Sequence, residues 1–254
     1  MFKKSKKLPE NFNPGLVEDA RLPEEKQKDF KWEELAKAPT PFEWKEKPES
    51  EWLKFPVFNQ DGSSSCVAQS VAKCLGIENF LEEGKFVQYS ARDIYTRRIM
   101  PLAEGMYFID GMNIGRKTGA TFEQLMPSQR LMEPQMNVKD DRTPLTEAAG
   151  LIGRGGNNIE LPVNIDIIAD MVENKKKPVL IGVRFGSGEW FGKKVPQVLG
   201  DDKTYGHGIV VTNATLWGGK KSLVIEDSAY NQTGDFPIRV VTEDWFNAGK
   251  VIFA

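Results

Sequence analysis

Apolar positions along the chain fall into two textures, and the change comes near Pro178. From Ser65 to about Leu81, the residues Val67, Val71, Cys74, Leu75, Phe80 and Leu81 recur at three- and four-residue spacing with no proline among them. That pattern predicts a buried helix starting at Cys66, with serines ahead of it available as N-cap. A second helix is predicted over Ala91 to Arg98, after Ser90. A third is predicted over Asn164 to Glu173, where Ile165, Ile168, Ala169 and Val172 share a face. Beyond Pro178 the runs "VLIGVRF", "GIVVTNATLW", "SLVIEDSAY" and "PIRVV" are rich in β-branched residues and separated by turn chemistry, which predicts antiparallel strands. A helical first half and a stranded second half predict an α+β fold of two lobes with a cleft between them.

Two regions fit neither texture. Residues 1 to 50 hold six of the fifteen prolines and few apolar positions in any period, so they read as an extended arm with one short helix around Trp32 to Ala36. Trp32, Trp44 and Trp52 read as anchors that pin this part to apolar grooves. Residues 105 to 160 are rich in Gly, Met and Pro and give few firm assignments. Within them "GLIGRGGNN" reads as a flexible linker between lobes, because no strand leads into it and no Lys-Ser/Thr pair follows to make a phosphate cradle.

Composition narrows the chemistry. With 254 residues and 40% hydrophobic content, a sizeable core can form. A formal net charge of −2, from 34 basic and 36 acidic residues, gives no field favouring nucleic acid. No secretory signal and no membrane-spanning stretch are read, and two cysteines suit a reducing compartment, so the expected location is cytoplasmic or virion-associated. One histidine and two cysteines supply too few soft ligands for a zinc site, and neither a metal nor a cofactor is expected.

The same scarcity makes the nucleophile question sharp. In "FNQDGSSSCVAQS" Cys66 sits at the start of the first predicted helix, where unpaired N–H groups and the positive dipole end favour a thiolate. A free cysteine on a helix is more often a packing residue, and Cys74, eight residues on, is read that way. The only imidazole available to pair with Cys66 is His207, in "TYGHGIVVT" at the head of a strand, where flanking glycines leave its ring accessible. Strand alternation turns Asp227 inward with Leu223 and Ile225, away from Glu226, and an inward acid needs a partner; His207 lies across a hairpin from it. The amide of Gln60, six residues before Cys66, is placed to join the Cys66 N–H as donors to an oxyanion.

Gln60, Cys66, His207 and Asp227 resemble, in order, type and spacing, the catalytic set of papain-like cysteine peptidases. The 141 positions from Cys66 to His207 match the family's spacing of about 130–150. The segments "PTPFEWKE", "YSARDIYTRR", "KTGATFEQLMPS" and "KKKPVLIGVRF" resemble, in family order, the start of the mature domain, the helix after the nucleophile helix, the G-x-x-x-E-x-x-x-P segment and the strand leading to the histidine. The resemblance covers roughly residues 39 to 254. Two motifs depart from it. The family's Cys-Gly-Ser-Cys-Trp reads Ser63 to Val67, which removes a disulfide cysteine, and its Asn-Ser-Trp-Gly reads Asp227 to Tyr230, which replaces an amide by an acid and removes an indole, with Tyr230 as a substitute.

The resemblance implies a papain-like domain over 39–254, with a helical lobe over about 55–150 and a β lobe over about 160–254. Residues 1–38 match a pro-segment in placement. It implies a cysteine endopeptidase acting on peptide or protein substrates through a thioester, with Gly111 as the nearest candidate for binding substrate backbone. The alternative is a weakly active or inactive scaffold in a bacterial or phage assembly, with the arm as contact to a protein partner. An amidase or acyltransferase on the same residues ranks last.

Overall fold

The computed structural model describes residues 15–17, 42–47, 49–100, 104–139, 142–156, 158–200, 205–230 and 236–254. The short helix expected around Trp32 lies outside them, as does Trp32 itself. In chain order the elements are β1 (Leu16–Val17), a 3-10 turn (Glu51–Lys54), α1 (Cys66–Glu83), α2 (Ala91–Thr96), β2 (Met106–Tyr107), α3 (Phe108–Lys117), α4 (Glu133–Met136), α5 (Pro144–Ile152), α6 (Ile165–Glu173), β3 (Val179–Phe185), α7 (Ser187–Trp190), β4 (Tyr205–Trp217), β5 (Lys220–Glu226), β6 (Ile238–Thr242), α8 (Glu243–Asn247) and β7 (Val251–Phe253).

The architecture is α+β, as the two textures predict. Helix α1 is buried on every side from Cys66 to Ile77, so it runs through the core rather than along the surface. It ends at Gly84, whose left-handed backbone (φ 70°) lets its N–H close on the Phe80 carbonyl. Helix α6 shows the expected face: Ile168, Ala169 and Val172 are buried, and the Asn164 side chain caps it by accepting from the N–H groups of Asp166 and Ile167.

The four predicted strands form an antiparallel sheet in the order β6-β5-β4-β3-β7, with β7 added at one edge. Strand β4 is longer than its apolar run suggests and begins at Tyr205, so His207 lies inside the ladder opposite Val183. Gly218 and Gly219, both at positive φ, turn the chain into β5.

The middle region holds structure that its pattern does not announce. Helix α3 lies against α1 through glycines: a side chain at Gly111 or Gly115 would meet Val67 or Val71. Helix α5 begins at Pro144 behind a Thr143 cap, and it takes in Gly150, Leu151 and Ile152. The first three residues of the expected linker are therefore helical, and Gly150 is buried. Of the expected tryptophan anchors, Trp52 is buried, and Trp44 packs edge-on against Phe42 while donating to Asp166 Oδ1 at 2.6 Å. Among the described residues no helix is long and apolar enough to cross a membrane.

Candidate active site

The loop before α1 is built from hydrogen bonds among its own polar residues. Ser63 Oγ meets the Gln60 carbonyl at 2.6 Å and Ser65 Oγ at 2.7 Å, and Gln69 Nε2 reaches Ser65 Oγ at 3.4 Å. These serines therefore shape the loop. Ser65 stands at the N-cap position without capping through its side chain, and the first turn of α1 carries no acidic residue. The positive end of the helix is left facing the Cys66 sulfur.

Cys66 is fully buried, and two elements converge on its sulfur. From the sheet, the Gly208 N–H donates to Sγ at 3.4 Å, an approach that leaves only 3.2 Å between a β-carbon built on Gly208 and Val67 Cγ2. His207, next to it on β4, interacts with the Cys66 side chain. Its Nε2 meets Asp227 Oδ1 at 2.7 Å. Burial pulls against a charged imidazole, but the charge and hydrogen bond of Asp227, with Cys66 adding to them, outweigh it and push His207 up to about 9. At neutral pH the ring is therefore an imidazolium, the state that pairs with a thiolate.

Asp227 follows directly on β5 and is held on all sides. Oδ1 also accepts from the Ala229 N–H at 2.8 Å; Oδ2 accepts from Trp190 Nε1 at 2.7 Å and from Arg239 Nε at 2.7 Å. Burial alone would raise its carboxyl, yet the charges of His207 and Arg239 and their hydrogen bonds hold it well below the ordinary carboxylate range. The indole against His207 belongs to Trp190 on α7, edge-on with centroids 6.1 Å apart, and not to Tyr230. Neither Trp190 nor Arg239 follows from the sequence motifs. Arg239 did leave a signal: alternation along β6 puts it on the same face as Val241, and a charge turned inward on an apolar strand needs a partner.

Gln60 is fully buried beside this group. Its side-chain nitrogen donates to the Ser63 carbonyl at 2.8 Å, its side-chain oxygen accepts from Ser228 Oγ at 2.9 Å, and its backbone N–H donates to the Ser228 carbonyl at 2.9 Å. It thus ties the loop ahead of Cys66 to the residue after Asp227. Gly111 is elsewhere. It lies within α3 with its α-carbon against Val67, so it is a packing glycine and presents no extended backbone to the site.

The extended backbone near Cys66 is β2, and it is already paired. Leu16 and Val17 of β1 run parallel to Met106 and Tyr107, and the Met106 N–H donates to the Gly15 carbonyl at 2.7 Å. Gly105, at φ 86°, makes room for that carbonyl, which would lie 2.7 Å from any β-carbon there. A β-carbon on Gly15 would in turn collide with the Ser64 carbonyl and lie 2.9 Å from Cys66 Sγ. On the sheet side, Leu16 rests on Gly182 and Gly206. The glycines flanking His207 therefore do not open its ring to solvent, since His207 is fully buried; they let α1 and the arm close over it. Among the described residues no cluster of three or more His, Cys, Asp or Glu is placed to hold a metal ion.

Solved structures share this arrangement of helices and sheet. Xylellain, a cysteine protease from Xylella fastidiosa, superposes with a TM-score of 0.71 at 14% identity, over 99% of this chain and 96% of its own. The fold is papain-like. Digestive procathepsin L 3 from the larval midgut of Tenebrio molitor shares it with a TM-score of 0.59 at 14% identity, over 84% of this chain and 71% of its own. The proform of Amb a 11, a ragweed pollen cysteine protease, does so with 0.55 at 18% identity, over 78% of this chain and 60% of its own. No protein-family model and no curated protein matches the sequence.

Proposed function

We propose that this chain is a cysteine endopeptidase. The observation that carries the reading is the sulfur at a helix start without a side-chain cap, interacting with the chain's only imidazole, whose Nε2 is braced by a buried carboxylate. The Cys66 thiolate attacks the carbonyl carbon of the scissile bond and forms a tetrahedral oxyanion. The Cys66 N–H and the Gln60 side-chain amide are the donors assigned to that oxygen. Collapse breaks the C–N bond, and the leaving amine takes its proton from the His207 imidazolium. Water then attacks the thioester, gives a proton to His207 and releases the acid and the thiolate. Asp227 fixes the ring's orientation and stabilises its charge throughout.

The arm belongs to the same reading. Gly15 to Val17 cover Cys66, which supports a gate that has to leave before a substrate binds. The boundary of that arm at about residue 38 is part of the proposal, as is a protein substrate.

An epoxide-bearing peptide should label Cys66 and not Cys74, whose thiol burial pushes up well above its ordinary value. Mass spectrometry of the labelled peptide distinguishes them. Removal of residues 1 to about 37 should accelerate labelling, and Cys66→Ala should abolish it. Labelling absent from the truncated chain, or shared equally by both cysteines, overturns the peptidase and favours an inactive scaffold.

A further inference from the structure

Among the described residues, Arg239 is the one strong charge in the group around His207 that neither the proposed reaction nor the family motif uses. It is fully buried on β6, with Nε on Asp227 Oδ2 at 2.7 Å and Nη1 on the carbonyls of Trp190 at 3.0 Å and Lys193 at 2.6 Å. Its guanidinium lies 5.2 Å from the centre of the Trp190 ring, whose N–H shares Oδ2 with it. An ionised carboxylate offers about four acceptor positions, and all four are filled: His207 and the Ala229 N–H on one oxygen, Trp190 and Arg239 on the other.

The charge on Asp227 explains why an arginine is needed. An amide at this position would be neutral, but the carboxylate adds a buried negative charge whose desolvation has to be offset. Arg239 supplies a cation on the oxygen that His207 does not contact. Its planar fork also fixes which oxygen faces His207, because Nε holds Oδ2 while Nη1 is pinned to two carbonyls. Lysine, a single point charge, would not do both.

We infer that Arg239 is a positioning residue: it balances Asp227 and fixes its rotamer, and so sets the protonation range of His207. The inference rests on the peptidase reading for what that positioning serves, though not for its geometry. The ionisable groups that bear on His207 are few. Cys66 comes from α1 and Asp227 from the end of β5; Arg239 stands behind Asp227, the Glu226–Lys73 pair lies behind β5, and the Glu189–Lys250 pair lies beyond Trp190.

Because the chain has one histidine, an NMR titration of the full-length protein reads His207 without assignment. Arg239→Met should move the His207 midpoint upward by roughly one pH unit, since a nearby cation is lost while Asp227 remains. Asp227→Asn alone should lower it the most, because Arg239 then stays buried without its anion. The double variant Asp227→Asn/Arg239→Met should fall between Asp227→Asn and wild type. Arg239→Lys should stay nearer wild type than Arg239→Met does.

An Arg239→Met midpoint equal to wild type, or a double variant no higher than Asp227→Asn, overturns the inference. Should Arg239→Met fail to fold, the double variant decides: folded, it supports charge balance; unfolded as well, it overturns it. Failure of the peptidase reading looks different, because Cys66 then goes unlabelled in the wild-type chain freed of its arm while the ordering of the four midpoints still holds.

Discussion

Glu226 and Asp227 are consecutive acids at the end of one strand, both buried, and their environments push them in opposite directions. Glu226 turns toward α1, where it pairs with Lys73 at 2.7 Å and accepts one N–H from Phe58 at 3.1 Å; burial outweighs both partners and its carboxyl is raised. Asp227 turns toward His207 and Arg239, where two cations, an indole and a backbone N–H outweigh the same burial and lower it. The difference is donor number and charge, since depth is the same for both. One acid ties the sheet to α1, and its neighbour conditions an imidazole.

The comparison breaks most visibly at Asp227. Asp227→Ala leaves Arg239 and His207 without their anion, and labelling of Cys66 by the epoxide in the arm-truncated chain should fall by roughly a hundredfold or more. Lys73→Met removes the partner of the other acid and should cost about 3–5 kcal/mol in denaturant unfolding, while the pH profile of labelling keeps its shape. A shifted profile in Lys73→Met would mean that the two acids are not separate in function.

A smaller effect concerns the arm. Gly15→Ala adds a carbon that would collide with the Ser64 carbonyl and the Cys66 sulfur, so full-length protein should label about tenfold faster, as a steric cost of one to two kcal/mol in the covered state allows. Unchanged labelling would separate the arm from the gate proposed for it.

The smallest effect is on stability with pH, and its sign differs between the pairs. His207 is raised from its ordinary value to about 9, so its pair with Asp227 contributes fully at mildly acidic pH and is lost as pH rises through about 9. Asp227, being lowered, keeps its contribution until pH falls well below the ordinary carboxylate range. Glu226, being raised, lowers stability as pH rises through its own titration. Denaturant midpoints of the wild type should therefore decline between about pH 6.5 and about pH 9 and level off above it, and Asp227→Asn should lose that decline. Glu226→Gln should keep it.

The sequence made the framework legible where periodicity is strong. Helices α1 and α6 and strands β3 to β6 follow from it, because each buries a face with a regular repeat. Helices α3 to α5 do not, because they are short and held by tertiary contacts: α3 lies on α1 through Gly111 and Gly115, residues that weaken any helix reading taken alone. Pro134 and Pro144 in the first turns of α4 and α5 were usable start signals. Around the site, Cys66, His207, Asp227 and Gln60 come together as their spacing implied. Trp190 and Arg239 come from distant segments that only the packed sheet brings beside Asp227.

The two-residue pairing of β1 with β2 has a further consequence for how the chain is released. A cover joined to its own target has a local concentration set by the connecting chain, in the millimolar range for short tethers, so dilution does not remove it. A free peptide therefore competes poorly until the connection is cut or another molecule captures the arm. On the peptidase reading proposed above, turnover in the intact chain should accordingly depend on events at residues 15 to 17 before it depends on the amount of substrate.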